Sequence, residues 1–217
     1  MRWLSYILPY VIYKKRSAYN RDIRVIHERG VYKLLVNGSR QSGEYIKTLW
    51  QHALGEFHII PSPDIKRILV LGVAGGTVIH LLHAMYPDAV IDGVDIDPEM
   101  LEIGKKYFFL DSVTGLTLTL RDAKDYVRES IQKKQAWDMI VVDLYVGASI
   151  PAFVGEEQFL HDLKKILSPG GIVLVNYLRE FEYEKLSTYV FEKLYKVFRR
   201  VQDTEIYCNR FFFCANG

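Results

Sequence analysis

Ile68-Leu-Val-Leu-Gly-Val-Ala-Gly-Gly-Thr77, answered by Val94-Asp-Ile-Asp-Pro98, decides how this chain folds. An apolar β-branched run that breaks into glycines and then turns helical is the strand, turn and helix that deliver backbone N–H groups to a ligand. Gly72, Gly75 and Gly76 let the chain turn sharply and approach a ligand with no Cβ in the way. The helix expected from about Thr77 to Met85 points its positive end at the same place. Asp95 ends the next strand, placed to accept hydrogen bonds from two ribose hydroxyls, and the roughly twenty residues between glycines and acid are the spacing of ribose recognition. A glycine turn that serves packing alone is the alternative; the strand and helix grammar on both sides stands against it.

The glycines also narrow the nucleotide. A dinucleotide fingerprint places glycine where Ala74 stands and again where Thr77 falls, so close approach to a pyrophosphate is disfavoured. A ligand without pyrophosphate, such as S-adenosylmethionine, tolerates Gly-Val-Ala-Gly-Gly. A P-loop is excluded because no Gly-Lys-Ser/Thr follows.

From Ile65 onward strands alternate with helices, which predicts an α/β fold: a doubly wound, mostly parallel, seven-stranded sheet. Strands are expected at Ile68 to Leu71, Val90 to Val94, Leu116 to Leu120, Met139 to Val142 and Ile172 to Asn176, with Val197 to Val201 and Tyr207 to Ala215 as a final hairpin. Asp97 is a natural N-cap, Pro98 suits the first helical position and Glu99 favours the dipole, so a helix starts there. Ser168-Pro-Gly-Gly171 reads as the turn into the fifth strand. Upstream, Asp22 to His27 and Val31 to Val36 read as a β-hairpin through Glu28-Arg29-Gly30, and Asn37-Gly38 closes it with a turn. A helix is expected from about Glu44 to Leu54, with Tyr45, Leu49, Trp50 and Ala53 on one face. The division that follows is residues 1–60 as arm, hairpin and first helix, and residues 61–217 as a nucleotide-binding domain.

Composition agrees with a full core: 217 residues, 49% hydrophobic and 25% charged, with no disorder signature. A net charge of +2 leaves no electrostatic footprint for nucleic acid. Cys208 and Cys214 lie in one extended run that separates them by roughly 20 Å, so they cannot bridge within it, and reduced thiols in a cytoplasmic protein are expected. Trp3 to Tyr13 is almost wholly apolar and precedes Lys14, Lys15 and Arg16. It is too short to span a bilayer and Pro9 interrupts it, so no transmembrane segment is expected. A docking arm or homodimer contact is the leading reading, and a membrane-surface segment the alternative.

With its elements placed, the chain resembles the spermidine synthase-like group of the class I S-adenosylmethionine-dependent methyltransferase fold. The resemblance rests on Tyr19-Asn-Arg-Asp-Ile-Arg-Val25, Val36-Asn-Gly-Ser-Arg-Gln41, the glycine loop, Val94-Asp-Ile-Asp97, Arg121-Asp-Ala123, Ile140-Val-Val-Asp-Leu-Tyr145 and Ser168-Pro-Gly-Gly171. It implies S-adenosylmethionine or its decarboxylated form as donor, a small-molecule acceptor and no metal. It implies that Asp95 and its neighbour Ile96 hold the ribose, that Asp122 and Ala123 meet the adenine, and that Gln41 touches the donor from above. Asp143 falls where the family keeps the carboxylate that positions and deprotonates an amine, with Tyr145 beside it toward the substrate. A carboxylate there suits the chemistry, since attack on a sulfonium carbon needs an unprotonated nitrogen. Capping the Tyr145 to Ser149 loop is the alternative role for Asp143.

The resemblance stops at three places. The aspartate that greets the donor's aminopropyl amine falls on Gly75, the second acid of Asp-x-x-Asp falls on Val146, and Tyr45 is followed by Ile46 and Lys47 where the family has Tyr-His-Glu. An aspartate at 75 would repel the carboxylate of ordinary S-adenosylmethionine, and glycine removes that repulsion. The expected function is transfer of an aminopropyl or methyl group to an amine. A nucleotide-binding regulator that lost chemistry is the alternative, and a nicotinamide oxidoreductase is disfavoured by Ala74. Asp92 and Asp138 read as solvated strand-edge residues, and His80 and His83 as packing or surface residues without a third metal ligand.

Overall fold

The structure, a computed structural model, describes residue 6 and residues 8–216. The start of the apolar segment at Trp3 lies outside the described residues. From Tyr10 that segment is a strand, and it opens an antiparallel sheet of four rather than two strands: β1 (Tyr10–Lys15), β2 (Ile23–Glu28), β3 (Val31–Val36) and β4 (Ser39–Ser42), in that order. Both additions lack the alternation that announces a strand. β1 has no fully buried face, and β4 is Ser-Arg-Gln-Ser, held by its pairing with β3. Asn37 and Gly38 both take left-handed backbone angles in the two-residue turn between β3 and β4. Ile23, Val25, Leu34 and Val36 form the buried face.

α1 (Glu44–Glu56) buries Leu49, Trp50, Ala53 and Leu54, while Tyr45 stays at the surface. The second sheet follows, in the order β10-β11-β9-β8-β5-β6-β7. Its members are β5 (Arg67–Leu71), β6 (Val90–Asp95), β7 (Leu116–Leu120), β8 (Trp137–Val142), β9 (Leu167–Leu178), β10 (Arg200–Ile206) and β11 (Asn209–Ala215). Five strands run parallel, and β11 and β10 add an antiparallel edge. Helices α2 (Thr77–Met85), α3 (Pro98–Phe108), α4 (Ala123–Gln132), α5 (Glu157–Lys165) and α6 (Tyr183–Val197) connect them.

The strands read as unbroken apolar runs because both faces are covered. Leu69, Leu71, Ile140 and Val142 enter one core with Val127 of α4, Leu163 of α5 and Leu194 of α6. Ile68, Val70, Met139 and Val141 enter the other with Trp50 of α1 and Ile79 of α2. Met100 and Ile103 of α3 carry the buried face of the N-terminal sheet.

Two expected boundaries move. Ser168–Gly171 is a loop-out within β9, since Leu167 pairs with Trp137 and Ile172 with Met139. Val197 closes α6 rather than opening a strand, because Val190, Leu194 and Val197 keep helical spacing on one buried face. No helix among the described residues is long and apolar enough to cross a membrane.

Candidate active site

The carboxyl ends of β5, β6 and β8 meet at one edge of the sheet, where doubly wound folds bind ligands. Gly72 has φ +94°, and a Cβ on it would stand 2.0 Å from the Asp143 carbonyl oxygen. Gly76 has φ +75°, and its Cβ would meet Leu110 at 2.3 Å. Ala74, also left-handed at φ 47°, donates its N–H to Asp95 Oδ2 at 3.1 Å.

Asp95 accepts two further backbone bonds, from Val73 N–H at 3.0 Å and from Asp97 N–H at 2.9 Å. A carboxylate offers about four lone-pair sites, so these three backbone bonds leave about one free. Burial pushes the Asp95 carboxyl up, and the three backbone bonds oppose that push. Asp97 caps α3 through Glu99 N–H and accepts from Ser17 Oγ at 2.5 Å and Asn20 Nδ2 at 2.8 Å. Asp122 caps α4 through the N–H groups of Lys124 and Asp125.

Asp143 follows β8 and is gripped from two sides. Trp50 Nε1–H donates to Oδ2 at 3.1 Å and Asn176 Nδ2–H to Oδ1 at 2.8 Å. Burial raises its carboxyl to about 6, against the lowering effect of those two bonds. These partners come from α1 and β9, so its carboxylate is not bonded into the Tyr145–Ser149 loop. Asn209 Nδ2 donates to Asn176 Oδ1 at 2.8 Å and to the Tyr145 hydroxyl at 3.1 Å. Burial holds the Tyr145 hydroxyl well above its usual range, so it keeps its proton.

The N-terminal sheet grips the loop after β8. Gln41 Nε2 donates to the Gly147 carbonyl at 2.9 Å, and Gly147 N–H donates to Asn20 Oδ1 at 3.0 Å. Two cavities result. Gln41, Gly72, Asp95, Ile96, Asp122, Ala123, Asp143 and Tyr145 line the first, together with Tyr19, Asn20, Asp97 and Arg121. Arg40, Gln41, Tyr45, Asp143, Tyr145, Asn176 and Asn209 line the second. Gln41, Asp143 and Tyr145 face both.

Gly75 and Gly76 are outside the lining of either cavity. Gly75 donates its N–H to the buried Ser42 Oγ at 2.8 Å, and a Cβ on it would meet that oxygen at 2.5 Å and Phe108 at 3.1 Å. A side chain at 75 is therefore sterically excluded. Asp92 and Asp138 are half-buried and partnered: Asp92 accepts from Trp137 Nε1 at 2.7 Å, and Asp138 accepts from the N–H groups of Lys66 and Arg67 at 2.9 Å. Among the described residues no group of three His, Cys, Asp or Glu side chains is placed to hold a metal.

Asn20, Trp50, Asn176 and Asn209 escape the reading of the sequence. Trp50 hides in the apolar face of α1. Asn176 and Asn209 did carry a signal, since an amide inside a buried apolar strand demands polar partners.

A family model described as "Spermine/spermidine synthase domain" matches residues 48–212. The chain belongs to that family. It is 32% identical over 115 residues to the polyamine aminopropyltransferase of Vibrio vulnificus, covering 53% of this chain and 38% of that protein. It is 31% identical over 166 residues to the eEF1A lysine and N-terminal methyltransferase homolog of Drosophila melanogaster, covering 72% of this chain and 24% of that protein. The matches thus span well under half the length of these curated relatives. Among solved structures, human methyltransferase-like protein 13 in complex with SAH matches with TM-score 0.66 and 26% identity over 81% of this chain and 83% of the other. Spermidine synthase from Thermotoga maritima matches with TM-score 0.73 over 95% of this chain and 73% of the other, a likeness of fold at 18% identity. The family and the class I methyltransferase fold are those the resemblance implies.

Proposed function

We propose a transferase that binds an S-adenosylmethionine-type nucleotide in the first cavity and passes its methyl or aminopropyl group to an amine in the second. The observation that carries this reading is the place of Asp143: it lines both cavities, and its carboxylate is gripped by Trp50 and Asn176. The residues of the first cavity suit such a donor. The turn from Gly72 to Ala74 forms one wall, and Asp95 and Asp122 each keep acceptor capacity toward the cleft.

The bound donor supplies an electrophilic carbon on sulfonium sulfur; the amine nitrogen bonds to it, the carbon–sulfur bond breaks, and the electron pair stays on sulfur. Asp143 holds the amine in line and takes its proton. A carboxyl with a pKa of about 6 is ionised at neutral pH yet basic enough to accept one. Asn176 and Trp50 keep it aimed, and the N-terminal sheet holds the loop over the cleft through Gly147.

The likeness to the methyltransferase relatives favours ordinary S-adenosylmethionine and methyl transfer. Gly75 itself gives no preference, since it lies outside the donor cavity and Ser42 fills the space a side chain there would need. Aminopropyl transfer is the second reading, favoured by the identity to the Vibrio vulnificus enzyme. Calorimetry and thermal shift with S-adenosylmethionine, its decarboxylated form, methylthioadenosine and NAD test the proposal. A ligand at 100 times its dissociation constant adds about 2.7 kcal/mol of stability. Binding of S-adenosylmethionine at least as tight as of the decarboxylated form, with no response to NAD, is expected. Strong preference for the decarboxylated form would move the assignment to aminopropyl transfer, and a response to NAD alone would overturn it.

A further inference from the structure

The second cavity has a charge pattern that the proposed reaction leaves unused. At about 110 Å³ it is small compared with sites for drug-sized ligands, and Asp143 is the one acid among its lining residues. Arg40 is the one cation among its lining residues. The Arg40 guanidinium packs over the Tyr45 ring at 5.6 Å and forms no ion pair with any described residue. Ile46, Leu49 and Leu178 line it as well, an apolar surface for a methylene stem.

We infer that the acceptor is a small amino carboxylate, held with its amine against Asp143 and its carboxylate at Arg40. The inference rests on reading the second cavity as the acceptor site. A linear diamine fits this arrangement poorly. Its first ammonium finds Asp143, but its second meets the Arg40 guanidinium, and no second carboxylate lines this cavity to receive it. A carboxylate at the same end instead finds a planar fork of N–H donors suited to bidentate pairing. The buried side chains near the amine are neutral apart from Asp143, since Asn176 and Asn209 are amides and Tyr145 keeps its proton. Selectivity between the two acceptors therefore lies at the Arg40 end.

Putrescine and 5-aminopentanoate share a four-methylene stem and differ in the charge at one end, so they isolate that effect. The experiment is calorimetry on protein saturated with S-adenosylhomocysteine, titrated with each in turn, for the wild type, Arg40→Lys and Arg40→Glu. We expect 5-aminopentanoate to bind at least tenfold more tightly than putrescine, Arg40→Lys to keep that order, and Arg40→Glu to invert it. Arg40 is exposed, so the variants leave the core untouched. Equal or tighter binding of putrescine by the wild type, an unchanged ratio in Arg40→Glu, or no binding of either compound would overturn the inference. The first titration separates the two levels: absence of S-adenosylhomocysteine binding removes the proposed function and this inference with it. Its binding without the expected acceptor order removes the inference alone.

Discussion

The Cβ that Gly72 lacks would stand 2.0 Å from the carbonyl oxygen of Asp143. The turn after β5 and the end of β8 thus touch backbone to backbone, and they are joined further by Asp143 N–H donating to Leu71 O at 2.8 Å. The glycine that opens the turn after β5 is therefore also the residue that sets where the candidate base stands.

Gly72→Ala should cost more than its backbone angle alone. A side chain at φ +94° is strained by about 1–3 kcal/mol, and the collision with Asp143 adds to it. Gly170 is the control, with φ +76° and no atom within 4 Å of an added Cβ. Urea denaturation should show a loss above about 3 kcal/mol for Gly72→Ala and of about 1 kcal/mol for Gly170→Ala. Equal losses would mean that close approach is not what position 72 requires.

The base should be visible in the pH profile. Asp143 must be ionised to accept a proton, so turnover should fall as pH drops through about 6. Asp143→Asn should lower turnover roughly 100-fold while donor affinity is kept. Stability gives an independent reading. The folded carboxyl lies above its ordinary value of 3.8, so the native state binds more protons between about pH 4 and pH 6, and this group's contribution falls as pH rises through that window. Denaturation midpoints of wild type and Asp143→Asn should therefore diverge across it in that sense, and parallel curves would return Asp143 to an ordinary solvated acid.

Much of this site was legible because its signals are local. A glycine turn between an apolar run and a helix, an N-cap at Asp97 and acids at strand ends are each written within a few residues. What stayed hidden was assembled across the chain. Trp50 and Asn176 reach Asp143 from 93 and 33 positions away, and Asn20 reaches Gly147 from 127. β1 and β4 were hidden for another reason: their strand character comes from pairing with β2 and β3, while their own side chains carry no period-two pattern. Gly75 shows the limit of reading residues by correspondence, since only the packing of Ser42 against it shows that no side chain fits there.

Trp50→Phe should move the acid limb of that profile. It keeps an aromatic ring in the core but removes one of two hydrogen bonds to the ionised carboxylate. A bond to a charged group contributes about 1.5–3 kcal/mol, enough to raise the apparent pKa by about one unit or more. If Trp50 served packing alone, stability would change and the profile would stay in place.

Asp95 tests the donor site and the turn together. Asp95→Ala leaves the N–H groups of Val73, Ala74 and Asp97 without their acceptor, so it should lose roughly 2 kcal/mol or more of stability as well as nucleotide affinity. Asp95→Asn keeps one oxygen and most of the turn. Calorimetry with S-adenosylhomocysteine should show at least tenfold weaker binding for Asp95→Asn in a folded protein, and unchanged affinity would remove the ribose assignment.

Asn20 binds two parts of the cleft at once, since its amide donates to Asp97 and accepts from Gly147 N–H. Gln41 holds the same glycine by its carbonyl alone. Asn20→Ala should therefore release the loop after β8 from the N-terminal sheet more fully than Gln41→Ala does, because it leaves both a loop N–H and the Asp97 carboxylate short of a partner. Hydrogen exchange at residues 144–149 should quicken at least tenfold in Asn20→Ala and less in Gln41→Ala, with donor affinity falling in the same order. Unchanged protection in both variants would show that the loop holds its position over Asp143 without the N-terminal sheet.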